Sequence, residues 1–140
     1  MYELEELRKR IQEQDYLGAL KIVDDLEEMS LEDKLNKIYS YAVILLIHLI
    51  KQAAENRSTR SWERSILNSV DNINKTNKRR KAGGYYAQKD VLIEIIHEAY
   101  PRALREAADE AFEGKYDVER LEDFFDIEQV KKQAISLLEP

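Results

Sequence analysis

The apolar residues between Leu31 and Ala53 constrain the fold more than any other part of the sequence. They recur every three or four residues, which is the spacing of one face of an α-helix. From Tyr41 to Ile50 the opposite side of the helical wheel is apolar as well, and a helix that is apolar on all sides is buried on all sides. We therefore expect a central helix with neighbouring helices packed around it.

The rest of the chain favours an all-α fold. Only four glycines and two prolines occur in 140 residues, and no segment alternates apolar and polar residues with the period of a strand. We predict a single helical domain over residues 1–140, a bundle of about five main helices plus short C-terminal helical pieces. Its parts are an N-terminal helical hairpin (1–29), three long core helices (30–113) and the C-terminal pieces (115–140).

Single residues mark the predicted helix ends. Ser30, with Asp33 three residues later, is close to a capping box and predicts the start of the third helix. Gly83–Gly84 predicts the end of the fourth helix, because glycine commonly follows a helix C-terminus. The apolar stripe of the fifth helix keeps its phase across Pro101, which predicts one kinked helix, and Asp126 predicts the cap of the last helix.

Positive charge is concentrated in the middle of an acidic chain. The net charge is −6, yet residues 51–81 contain nine basic and three acidic residues, so the rest of the chain has a balance of −12. Such a segment can contact a polyanion such as nucleic acid, or it can offset acidic neighbours such as those of Asp24–Glu28. We favour the second interpretation, because no recognised binding motif accompanies the charge. The candidate contacts for a polyanion or an acidic partner are Arg57, Arg60, Arg64, Lys75, Lys78, Arg79, Arg80 and Lys81.

Residues suited to catalysis or metal binding are few. The chain has no cysteine, which excludes disulfides, thiolate metal sites and cysteine nucleophiles. Glu94 and His97 have the spacing of a di-metal helix motif, but His48, the other histidine, has no glutamate at the corresponding place, so we expect no metal and no cofactor. His48 and Trp62 are instead predicted to be structural core residues, with His48 bonded to a carbonyl or a tyrosine.

Three features predict a cytoplasmic chain. The N-terminal segment is charged throughout and lacks the apolar stretch of a signal peptide. The longest apolar run, Tyr41–Ile50, is too short to cross a bilayer, so no membrane contact is expected. The absence of cysteine fits a reducing compartment.

Four segments, in this order and spacing, resemble a known family. They are Leu26–Met29, Leu45–Lys51, Arg57–Ile66 and Ile95–Glu110. The family is the bacterial one named domain of unknown function twenty-nine, and the similarity covers residues 15–126. The resemblance implies a compact all-helical domain with no assigned reaction, cofactor or substrate, and with no catalytic residues to transfer. The chain departs from the family pattern at Gln52, where an aromatic residue often follows the lysine, and its connection over residues 74–86 is more basic.

These observations predict a non-enzymatic helical interaction domain that binds an unknown protein partner or forms a homo-oligomer. The alternative is a nucleic-acid-associated accessory protein that uses the basic segment Arg57–Lys81. A hydrolytic enzyme ranks third, because no nucleophile–base pattern occurs.

Overall fold

The computed structural model describes residues 2–79 and 83–140, and within them the chain is helical with no strand. Two short 3-10 turns, Ala111–Gly114 and Glu122–Phe124, connect the last elements. The predicted all-α fold is therefore confirmed. The α-helices of the described residues are α1 (Tyr2–Gln12), α2 (Tyr16–Glu55), α3 (Arg60–Asn77), α4 (Lys89–Glu110), α5 (Val118–Leu121) and α6 (Ile127–Ser136).

The chain forms two compact units, residues 1–34 and residues 35–140. The first, which we call the hairpin unit, contains α1 and the beginning of α2. Its corner is closed by Asp15, whose carboxylate accepts hydrogen bonds from the Gly18 backbone N–H at 3.0 Å and from Arg10 at 2.8 Å. A Cβ at Gly18 would lie 2.5 Å from that carboxylate, so any other residue there would displace it.

The core of the second unit is built mainly by α2 and α4. α2 contributes buried residues from Ile38 to Ala54, and α4 contributes buried residues from Leu92 to Ala108. The other helices complete the cluster. They add Ile73 from α3, Leu121 from α5, and Val130 and Ala134 from α6. This unit is thus a helical bundle with one continuous core.

The helix start predicted at Ser30 is wrong, because one helix of 40 residues runs through it. Ser30 lies exposed inside α2. A serine caps a helix only where the chain enters it from an extended conformation, and here strong helix formers lie on both sides. No glycine or proline interrupts α2 after Gly18, so no residue ends the helix before Ser30 and the serine does not cap a new one.

The end of α3 also differs from the prediction, because α3 stops at Asn77 and not before Gly83–Gly84. The side chain of Asn77 is fully buried and holds the returning chain. Its Oδ1 accepts the Ala87 N–H at 2.7 Å, and its Nδ2 donates to the carbonyl oxygens of Ala87 at 3.0 Å and Glu139 at 3.2 Å. Both glycines, at φ 73°, lie in the connection to α4, where a left-handed backbone is required.

The C-terminal half follows the sequence prediction closely. α4 continues through Pro101, α5 and α6 form the two short pieces, and Asp126 caps α6 by accepting the Gln129 N–H at 3.2 Å. No helix among the described residues is long and apolar enough to cross a membrane.

Candidate functional site

One face of α3 presents exposed basic side chains. Arg60, Arg64 and Lys75 lie within about 80° of one another on the helical wheel, and all three are exposed. Leu67, 60% exposed, and Asp71 occupy the same arc. Within residues 2–79 and 83–140, none of the three cations is in an ion pair. We call these five residues the α3 face.

Arg57 does not belong to that face, because it is held at the corner before α3. Its Nε lies 3.1 Å from Glu55, and its guanidinium lies 4.6 Å from the centre of the Trp62 ring. Thr59 caps α3 by accepting the Trp62 backbone N–H at 3.1 Å. Arg57 is therefore part of the joint between α2 and α3, although its side chain is exposed.

Trp62 was predicted in the core, but the structure places it half-buried and between cations. The Lys51 Nζ lies 4.7 Å from the centre of the ring and 3.2 Å from the Glu110 carboxylate. Lys51 itself is only 6% exposed. A buried ammonium requires such partners, because an unpaired charge in the interior is costly. The two cations beside the ring are paired with Glu110 and Glu55, so the cluster balances its own charge.

Lys78 and Arg79 lie on the connection after α3 and not on the helix. Lys78 pairs with Tyr85 through an isolated antiparallel bridge, and the Arg79 N–H donates to the Gly84 carbonyl at 3.0 Å. The Arg79 guanidinium lies 5.7 Å from the centre of the Tyr86 ring. The other two predicted contacts of this cluster, Arg80 and Lys81, lie outside the described residues.

The two histidines occupy unrelated places. His48, predicted in the core, is half-buried on a strip of α2 where Ile44 is 40% exposed, so this part of α2 is not buried on all sides as predicted. The His48 Nδ1 lies 2.9 Å from the Ile44 carbonyl oxygen, which can only accept, so Nδ1 carries the proton. His97 Nδ1 lies 3.1 Å from Lys131 Nζ. Across the described part of the chain, no three acidic or histidine side chains are grouped to hold a metal.

The hairpin unit carries a surface that is not among the sites predicted from the sequence. Within about 100° on α2 lie four exposed large apolar residues, of which Leu17 is 84% exposed and Leu20 59%. Two exposed acidic residues share that arc and form no ion pair within the described residues. We call this set the hairpin face. Its members are Tyr16, Leu17, Leu20, Asp24, Glu27 and Leu31.

Comparison with known proteins gives a family. Residues 3–133 match the family described as "Domain of unknown function DUF29". Because the match covers most of the chain, the chain belongs to this family, and the resemblance based on the four sequence segments is confirmed. Neither the curated proteins nor the solved structures contain a match.

Proposed function

We propose that this chain is a non-enzymatic protein-interaction domain that docks through the hairpin face. One observation carries the proposal. Of the twelve large apolar residues that are exposed among the described residues, eight lie between Tyr2 and Leu31, and α1 buries no residue at all. Scattered exposed apolar residues are normal, but a concentration of them on one short unit is typical of a binding surface.

The size of the surface supports the same proposal. Four apolar side chains with exposures between 39% and 84% present on the order of 400–500 Å² of surface. That is the size of the largest apolar patches on ordinary monomers, which are often functional. Asp24 and Glu27 beside them provide a polar rim of negative charge. A helix with complementary basic residues is the partner that such a surface fits.

The proposed place of action is the cytoplasm. The chain contains no cysteine, a composition that suits a reducing compartment. An exposed apolar face with an acidic rim is also compatible with a role among other soluble proteins.

Photo-crosslinking tests the proposed function directly. A photoreactive amino acid is placed at Leu17, and a control chain carries it at Phe124, which is 38% exposed in the other unit. Both chains are irradiated in the cells that produce the protein, and adducts are identified by mass. We expect discrete protein adducts from Leu17 and none of comparable yield from Phe124. Equal adduct yields from both positions, or no adduct from Leu17, would contradict the proposal.

A second candidate function, nucleic-acid association, is favoured by one observation. Arg60, Arg64 and Lys75 are exposed on one face without an ion pair among the described residues. Rows of cations of this kind bind phosphates with a strong dependence on salt.

A gel-shift series tests the second candidate. Replacing the three cations by alanine is expected to reduce the log–log salt slope by about 2–3 units, near one per lost phosphate contact. Arg102→Ala with Arg105→Ala, two exposed residues of α4, is the matched control and should leave the slope unchanged. Wild-type protein that fails to bind DNA or RNA in low salt would rule this function out.

A further inference from the structure

We infer that the partner of the hairpin face is a second copy of this chain. The hairpin face of one copy docks antiparallel on the α3 face of the other, and the same contact repeats with the roles exchanged. The inference rests on the proposed function and names its partner. Two independent features of the described residues support it: charge and register.

The charges of the two faces are complementary. The hairpin face carries two acidic residues, Asp24 and Glu27, a balance of −2. The α3 face carries three cations and one acidic residue, Asp71, a balance of +2. On each face the charged side chains are exposed and form no ion pair within residues 2–79 and 83–140. Two hairpin faces placed against each other would repel, whereas a hairpin face and an α3 face attract.

The spacing along the two helices is complementary as well. On α2, Asp24 and Glu27 follow Leu20 by four and seven residues. On α3, Arg64 and Arg60 precede Leu67 by three and seven residues. At a rise of about 1.5 Å per residue, antiparallel helices with Leu20 against Leu67 place the two pairs of opposite charges within one residue of register. A parallel arrangement would place Lys75, and not the two arginines, toward the acidic end.

The pairing follows the logic of a small helical interface. The two leucines, 59% and 60% exposed, supply the apolar centre, and the four charged residues supply the rim. One such contact is smaller than the roughly 800 Å² per partner of a standard interface. In a two-fold dimer each copy uses both faces, so the contact occurs twice.

A charge exchange between two variants tests the inference. The first variant is Asp24→Lys with Glu27→Lys, and the second is Arg60→Glu with Arg64→Glu. All four changes introduce good helix formers at exposed positions, and circular dichroism checks that both variants fold. Masses are measured by sedimentation equilibrium in low salt for each protein alone and for an equimolar mixture of the two variants.

The inference predicts a specific pattern of masses. Wild-type protein sediments at twice the chain mass of 16.5 kDa. Each variant alone dimerises at least about tenfold more weakly, because both of its contacts oppose like charges. The mixture recovers the dimer, because both contacts between unlike variants again join opposite charges. Arg105→Glu with Lys132→Glu, exposed cations on other helices, is the matched control and should dimerise as wild type does.

Each other outcome overturns the inference. A monomeric wild type, or a dimer that both variants retain, excludes this contact. Variants that lose the dimer without recovering it in the mixture show that the charges do not meet across copies. Loss of nucleic-acid binding by the arginine variant with an unchanged mass assigns the α3 face to nucleic acid. In all these cases the adducts from Leu17 still decide the proposed function, since adducts with a different protein would retain it.

Discussion

Residues 35–140 contain all 24 members of the buried core cluster, whereas among residues 2–34 the only buried apolar side chain is Ala19. Large apolar residues make up a similar fraction of each unit, but in the second unit most of them are buried or partly buried. In the second unit, the apolar stripes of α2 and α4 and the buried residues of the shorter helices belong to one core cluster. In the hairpin unit two helices leave apolar residues on several sides. The two units thus differ in how completely their apolar residues are covered.

The largest expected effect contrasts leucines of the two units. Leu46 is fully buried, so Leu46→Ala should lower the free energy of unfolding by about 2–5 kcal/mol. Leu20 is 59% exposed, so Leu20→Ala should change it by no more than about 0.5 kcal/mol in dilute protein. Urea unfolding followed by circular dichroism measures both values. Similar costs at the two positions would contradict the contrast between the units.

A smaller effect is expected at the buried ammonium of the second unit. Glu110→Ala leaves the buried Lys51 ammonium without its carboxylate partner and should destabilise the fold by about 1.5–3 kcal/mol. Lys51→Met removes the charge, so the side chain no longer needs a carboxylate partner, and the substitution should cost less than about 1 kcal/mol. Arg102→Ala, which breaks an exposed pair with Glu106, is the control, with a change of at most about 0.5 kcal/mol. If Lys51→Met were the more damaging change, Lys51 would have a role other than filling the joint.

The smallest expected effects are on the pH dependence of stability, which should differ between the two units. The Gly18 N–H and Arg10 hold the pKa of Asp15 below its ordinary 3.8, so this carboxylate stabilises the hairpin corner above that pH and the stabilisation is lost as pH falls. Burial and the Glu122 carboxylate raise the pKa of Tyr100 above its ordinary 10.0. Its contribution is present below pH 10.0 and is lost as pH rises further.

Residue-resolved NMR across the pH range checks this difference. Acid should first perturb amides near the corner of the hairpin unit, and alkali should first perturb amides around Tyr100. Asp15→Asn and Tyr100→Phe should each remove one of the two sensitivities. A single transition that affects both units together at low or at high pH would contradict separate pH sensitivities at Asp15 and Tyr100.

The sequence predicted the helices well wherever one apolar stripe faced one core. The period of α4 persisted across Pro101, and Asp126 capped α6, because in both cases the local pattern and the tertiary packing agree. The helix start predicted at Ser30 is wrong because no helix breaker lies beside this capping residue, so α2 continues through it.

The site was harder to predict because its partners are distant in sequence. Lys51 meets a carboxylate 59 residues away, and Asn77 bonds a carbonyl 62 residues away, so no local pattern identifies either role. The apolar stripe predicts Trp62 in the core, but it lies in the first turn of α3, where two cations cover the ring. The hairpin face was missed because periodicity identifies an apolar side and not whether anything covers it.

Hydrogen exchange of the full chain at several protein concentrations tests the central claim most directly. The claim is that residues 35–140 are stable by themselves and that the hairpin unit gains stability from a partner. In dilute protein, amides of residues 17–31 should exchange at least about a hundredfold faster than amides of residues 42–50. Raising the concentration should slow exchange in residues 17–31 and leave residues 42–50 unchanged. Equal protection of the two segments at every concentration would contradict the account.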